Sequence, residues 1–453
     1  MTGGRLYRET KTLWRWFVHR RLRTSMPIAR RRVASTVGAI VLAIFALAFS
    51  KAADVAMARF NQLFKAAPLL PLILTPLIFA IVAYATKRWA SAARGSGIPQ
   101  IIAAADIPES ETAGRLSSLK TGVLKVVLTL LMLLGGASVG REGPTVQVSA
   151  AVMVWVHRIL RVPITAGVLI AGGAAGVAAA FNTPLAGVAF AIEELAAAYE
   201  QRVALLVIAA VMISGLVMIG IAGDYVYFGV LQSALNLRQT LVVAPVMGVA
   251  GGIMGGLFSR TVLGFANGKH GIPALLKRRP VLFAAGCGLI VGVLGILSGG
   301  TTWGTGYAPA RALVEGGRLS FWFGPAKFLA SIFTTLSGTP GGIFSPSLAV
   351  GAGLGNAMAG LFDAPSSAVV LLGMAGYFVG VVRAPFTAVI ILMETTASRS
   401  MILPLFATAL IADAVSSLIS QERIYHGLSK SFRPGPQPSG DDQAPARERE
   451  DHR

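Results

Sequence analysis

The chain has 453 residues, 54% of them hydrophobic and only 13% charged, with a mean hydropathy of +0.67. This is far too apolar for a soluble domain and predicts an all-α polytopic membrane protein. The formal charge of +20 does not indicate nucleic acid, because the basic residues lie largely outside the apolar runs, and the lone Cys287 excludes an internal disulfide and reads as a packing residue.

Residues 1–32 carry ten Arg and Lys against a single acid, Glu9. That density beside the first apolar segment predicts a cytoplasmic N-terminal arm, with Leu13, Trp14, Trp16, Phe17 and Val18 at the lipid interface and the arginines on anionic headgroups. A basic arm of this length before a full-length apolar segment reads as uncleaved. Apolar segments then recur at about 34–50, 66–86, 121–139, 145–156, 163–180, 185–199, 203–222, 240–258, 281–298, 320–336, 344–362, 366–382, 385–394 and 401–419. Several are shorter than the roughly 20 residues of a full span, so helices are expected to be tilted, paired end to end or broken within the bilayer.

The first motif is Gly95-Ser96-Gly97-Ile98-Pro99, a bend that exposes a hydroxyl and backbone amides. Residues 103–118 are polar enough for an extramembrane connection. The second motif, Gly140-Arg141-Glu142-Gly143-Pro144, sets charge between two runs too apolar for water. Pro144 is expected to start a helix, leaving free amides and a positive dipole end beside Glu142, so the pentapeptide looks like an anion site that carries its own anion. The competing reading is a surface hairpin with Arg141 and Glu142 solvated.

An internal repeat organises the chain. Lys125 precedes Pro144 by 19 residues, as Lys327 precedes Pro346, and each stretch passes through a Gly-rich bend, the second being Gly342-Ile343-Phe344-Ser345-Pro346. Pro184 and Pro385 follow in register, and nine residues beyond each stands an acid, Glu193 and Glu394. The offset of 201 to 202 residues divides the membrane region into repeats of about 33–232 and 233–425. Repeats can be parallel or inverted; inversion is favoured because it brings equivalent helix N-termini to one midplane point, with Glu142 and Phe344 at equivalent places.

The three bends offer hydroxyls and amides in place of cationic side chains, which suits a weakly hydrated anion that must also leave. Lys125 and Lys327 supply either a positive background or a structural bond to carbonyls or an acid. One of the adjacent Glu193-Glu194 pair could accept cytoplasmic protons, or the pair could be a solvated helix end. Tyr425 stands where an interfacial anchor would. The polar stretch 426–453 is expected to be a disordered tail. No metal or cofactor is implied: His19, His157, His270, His426 and His452 lack ligand spacing, no nucleophile–base pair suggests an enzyme, and no phosphate-binding loop is present.

Gly95-Ser96-Gly97-Ile98-Pro99, Gly140-Arg141-Glu142-Gly143-Pro144 and Gly341-Gly342-Ile343-Phe344-Ser345-Pro346, followed by Tyr425, resemble the signature motifs and pore tyrosine of the CLC chloride channels and chloride/proton antiporters. The resemblance covers 33–430. It implies the CLC fold of two inverted repeats, a homodimer with one pore per subunit, and chloride exchanged for protons across the inner (plasma) membrane with both termini cytoplasmic. It would make Ser96 and Tyr425 side-chain ligands of chloride, Ile343 and Phe344 its backbone ligands, Glu142 the external gate and Glu194 the internal proton acceptor. Channels of this family usually lack an acid at the position of Glu194, so its presence favours antiport over the alternative, a passive chloride channel. The chain departs from better-known bacterial members at Leu195 to Ala198, where those carry polar or charged residues, and at Gln100 and Ile102, where those carry acids.

Overall fold

The computed structural model describes residues 3–195, 201–231, 233–268 and 270–433. The first repeat runs through α1 (Gly3–Ala66), α2 (Pro71–Trp89), α3 (Ile98–Asp106), α4 (Glu111–Leu116), α5 (Leu119–Leu134), α6 (Glu142–Ile159), α7 (Ala166–Phe181), α8 (Pro184–Phe190), a widened π turn at Ala191–Leu195, and α9 (Gln201–Ala222). The second runs through α10 (Leu237–Asn267), α11 (Gly271–Arg278), α12 (Pro280–Leu297), α13 (Tyr307–Val314), α14 (Phe323–Leu336), α15 (Phe344–Met358), α16 (Ser366–Val382), α17 (Pro385–Thr396) and α18 (Ile402–Ile419). A last short helix, α19 (Ile424–Ser429), belongs to neither. The two sets are inverted-topology repeats of broken and tilted helices.

Among the described residues, six helices have the length and hydropathy to cross a membrane: part of α1, then α2, α9, α10, α12 and α18. The shorter α7 and α16 are apolar on every side, and almost all their residues are buried, so they form the interior and the long helices face lipid. Both end the same way, with a non-glycine residue in the left-handed region, Asn182 at φ 57° and Arg383 at φ 61°, directly before the next apolar helix.

Glycine sets the closest helix packing. On α10, a Cβ at Gly251 or Gly255 would collide with the α16 backbone at Gly376 or Gly380. These four glycines, spaced four apart on each helix, let two backbones touch where water-driven apolar association is absent. Cys287 is buried on α12 where that helix packs on α2, consistent with a packing role.

Three expectations need correction. The helix at the second motif starts at Glu142, ahead of Pro144, so Glu142 is itself the first helical residue. The connection expected at 103–118 starts later, because α3 runs on to Asp106 with Ala103 and Ala104 still buried; at nine residues, α3 is too short to register as an apolar segment. Residues 426–432, expected in the disordered tail, are helical instead, because α19 and the turn after it carry residues 424–432 back against α3. The interfacial side chains expected in the N-terminal arm, and the tail from 434, lie outside the described residues.

Gly255→Ala is expected to lower stability by about 1–3 kcal/mol through overpacking against α16. Gly264→Ala, on the same helix with open space around it, should be neutral or slightly stabilising, since alanine is the better helix former. Reversible unfolding in mixed micelles measures both, and equal effects would remove the glycine contact as the cause.

Candidate functional site: an anion-binding centre between broken helices

The bends of the second and third motifs lie against each other. The Gly140 amide donates to the Gly342 carbonyl at 2.7 Å, and the Gly342 amide donates to the Gly140 carbonyl at 2.8 Å. The first motif joins them through the Gly341 amide, which donates to the Gly95 carbonyl at 3.0 Å. A Cβ at Gly342 would sit 3.0 Å from both the Gly140 carbonyl oxygen and the Gly143 nitrogen, and one at Gly143 would collide with Ser96 Oγ. Gly97 adopts φ +113°, which only glycine takes readily.

Lys125 and Lys327 brace this centre. Lys125 Nζ donates to the carbonyls of Ala93, at 2.8 Å, and Gly95. Lys327 Nζ donates to Thr302 at 2.9 Å and Gly304 at 2.8 Å. Of the two roles open to these lysines, the bond to carbonyls is the one observed. Their parallel use also exposes a pair of bends that sequence reasoning missed: Gly95-Ser96-Gly97 has its counterpart in Gly304-Thr305-Gly306, with all four glycines at positive φ. The offset here is 209 residues, not 201 or 202, which hid the match.

Glu142 is buried, at 1% exposure, and its carboxylate does not rest on its own helix. Oε1 accepts from Ser345 Oγ at 2.6 Å and Oε2 from the Ser345 amide at 3.4 Å, which places the charge at the N-terminus of α15 in the opposite repeat. A Cβ at Gly140 would collide with that carboxylate. Arg141 turns away, donating to the Ser50 carbonyl at 2.9 Å and pairing with Asp54 at 2.7 Å. The solvated-hairpin reading therefore fails for both residues.

Ile343 and Phe344 open α15, so their amides belong to the set that intrahelical bonds leave free. The Phe344 ring is central to an aromatic cluster, with Phe378 at 4.8 Å, Phe190 at 5.8 Å and Tyr425 at 6.2 Å, the last stacked at 13°. Tyr425 is wholly buried, so α19 has carried it inward and it is no interfacial anchor. The hydroxyls of Ser96 and Tyr425 are each buried without a hydrogen-bond partner among the described residues. Leaving such a group unmet costs about 1–3 kcal/mol, so each hydroxyl marks a place for an acceptor.

From Ser96, Gly342 and Ile343 a cavity of about 530 Å³ opens outward, lined also by Arg94, Lys277 and Phe432. Arg94 stacks over the Phe432 ring at 4.6 Å and donates to Ser431 Oγ at 2.9 Å. These cations raise the local concentration of anions at the mouth without entering the centre. They were missed because they lie 183 positions apart in sequence, although Arg94 directly precedes the first motif and Lys277 opens the basic run Lys277-Arg278-Arg279.

The Glu193-Glu194 pair divides. Glu193 accepts from the amides of Phe386, at 3.1 Å, and Thr387, at 2.7 Å, and so caps α17. Its counterpart Glu394 accepts from Leu185, at 3.1 Å, and Ala186, at 2.7 Å, capping α8. Glu194 instead points into the interior from the π turn, 1% exposed, with neither oxygen hydrogen-bonded among the described residues. The solvated helix end is excluded for Glu194.

Arranged so, the centre can hold a small anion on amides and hydroxyls, next to a carboxylate able to take the same donors. Residues 78–417 match the family described as voltage gated chloride channel. Among solved structures, a slow cyanobacterial Cl-/H+ antiporter superposes with a TM-score of 0.76 at 24% identity, covering 89% of this chain and 97% of that one. A CLC-type fluoride/proton antiporter gives 0.72 at 22%, covering 87% and 97%. A eukaryotic CLC transporter gives 0.71 at 20%, covering 89% and 74%. At these identities the superpositions establish the fold, and with a family match over three quarters of its length the chain belongs to the voltage gated chloride channel family, the CLC proteins.

Proposed function

We propose that this protein is a secondary active transporter that exchanges chloride for protons, with Ser96, Tyr425 and the amides of Ile343 and Phe344 holding the anion. The observation that carries this reading is the Glu142 carboxylate resting on the amide end of α15, one residue from Phe344. Carboxylate and chloride want the same donors and the same positive helix end. Ionised, Glu142 fills the outer part of the site. Protonated, it loses that attraction and leaves, so each anion that takes its place is linked to a proton. Glu142 is then external gate and proton carrier together, and Glu194 is the internal acceptor that loads it. The cyanobacterial neighbour is itself a Cl-/H+ antiporter, which supports the coupled reading.

The same reading sets the protein in the plasma membrane as a homodimer, one pore to each copy, with the Arg-rich N-terminus on the cytoplasmic side. The Arg94 and Lys277 vestibule is then the cytoplasmic mouth. Leu205, Leu216, Leu403 and Leu410 stand exposed on α9 and α18 and provide an apolar face for the second copy.

Glu142→Gln is expected to move chloride at all external pH values with proton movement abolished. Glu194→Gln should also lose proton movement, by at least tenfold, yet keep the external-pH dependence that Glu142 confers. Chloride and pH electrodes on reconstituted vesicles distinguish the two, and a Glu142→Gln protein that still pumps protons would end the competition mechanism. For the anion site, Ser96→Ala and Tyr425→Phe should each weaken chloride binding about tenfold, from the roughly 1.5 kcal/mol or more of a hydrogen bond to a charge. Calorimetry in detergent reads this directly, and unchanged affinity in the double variant would remove both hydroxyls from the site.

A further inference from the structure

Glu194 lies deep for a group that must exchange protons with water. Its side chain is fully enclosed, its carboxylate oxygens make no hydrogen bond among the described residues, and the buried Leu195 follows it. In sequence Ala196, Ala197 and Ala198 come next, and none of them can relay a proton. Two charged neighbours among the described residues are engaged elsewhere: the Glu193 carboxylate caps α17, and Arg423 Nη1 donates to the Glu193 carbonyl at 3.2 Å. Farther along the same segment, Lys430 pairs with Glu422, and Arg433 pairs with Asp106 on α3.

Among the described residues, one ionisable side chain makes a salt-bridge-range contact with Glu194. His426 Nδ1 stands 3.4 Å from Glu194 Oε1, outside hydrogen-bonding alignment but within the distance of a proton-transfer partner after a small rotation. The imidazole is 39% exposed where its partner is 0% exposed, so the ring bridges the surface and the buried acid. It is not among the residues that line the anion vestibule. Histidine is also the side chain whose ordinary titration lies nearest neutral pH, which suits it to pass protons in either direction.

We propose that His426 is the proton port of Glu194, carrying protons between water on that face and the internal acceptor by a route separate from the anion vestibule. The neutral ring takes a proton from water or buffer to become imidazolium. Its Nδ1 proton passes to Glu194 Oε1, leaving a neutral imidazole and a carboxylic acid, and a ring flip or exchange with water restores the starting tautomer. The residue follows directly after Tyr425, so one short helix carries an anion ligand and the proton port side by side. This inference rests on the reading of Glu194 as the internal proton acceptor.

The test compares wild type, His426→Ala and Glu194→Gln in oriented vesicles, with chloride and proton fluxes recorded together and with millimolar imidazole added on the His426 side. His426→Ala is expected to move chloride while its proton flux falls at least tenfold, and imidazole should restore much of that flux in His426→Ala but none in Glu194→Gln. Proton flux at the wild-type rate in His426→Ala, or a loss that imidazole does not relieve, would overturn the port. Should His426→Ala fail to move chloride as well, His426→Gln decides in its place: chloride flux with proton flux lost supports the port, and both fluxes retained overturns it. Failure of the parent reading looks different, because then wild type moves no protons or Glu194→Gln still pumps them.

Discussion

The pair of reciprocal backbone hydrogen bonds between Gly140 and Gly342 is the contact on which the molecule turns. It holds two helix N-termini, from two halves of the chain, against each other in the interior. A membrane interior offers no water to the amides of a broken helix, so breaks are tolerated only where something else meets them. Here the ends meet each other, the two lysines brace the flanking bends, and Glu193 and Glu394 cap each other's partner helices across the repeats. Among the groups left unmet in the described residues are the Ser96 and Tyr425 hydroxyls, and the Tyr425 ring stacks on Phe344, at the first turn of α15.

Chemistry lies where the repeats stop matching. Glu142 has Phe344 as its counterpart, so one half brings a carboxylate and the other an aromatic ring beside free amides. The hydroxyl of Ser96 has no hydrogen-bond partner among the described residues, whereas that of Thr305, at the matching bend, accepts from the Tyr307 amide. Glu194 is buried without a hydrogen bond among the described residues, whereas Thr395, its counterpart, donates to the Ile391 carbonyl at 2.6 Å. In the last two cases the second repeat has the hydrogen-bonded group and the first has the unbonded one. Tyr425 completes the centre from α19, which has no counterpart in either half.

Much of this was legible in the sequence because proline, glycine and charge in apolar surroundings each have few permitted uses. Lys125 with Pro144 and Lys327 with Pro346 disclosed the repeat, and Glu142 between two apolar runs disclosed the centre. Other features were hidden for physical reasons. Which helix end receives the Glu142 carboxylate depends on tertiary contact between the repeats, so the sequence pointed to its own helix and the structure to α15. The burial of Tyr425 follows from the path of a six-residue helix too short to announce itself. Glu193 and Glu194 are neighbours of one type, and the π turn alone sends one to a helix cap and the other inward. The contact between Glu194 and His426 spans 232 positions of the chain, and no local pattern reports it.

The account stands or falls on the link between the two ions in the unaltered protein. Wild type in sealed vesicles, given an outward chloride gradient at equal pH on both sides, is expected to drive protons inward and acidify the lumen against the gradient it creates. Chloride leaving with no movement of protons would contradict the account and make the protein a passive chloride channel.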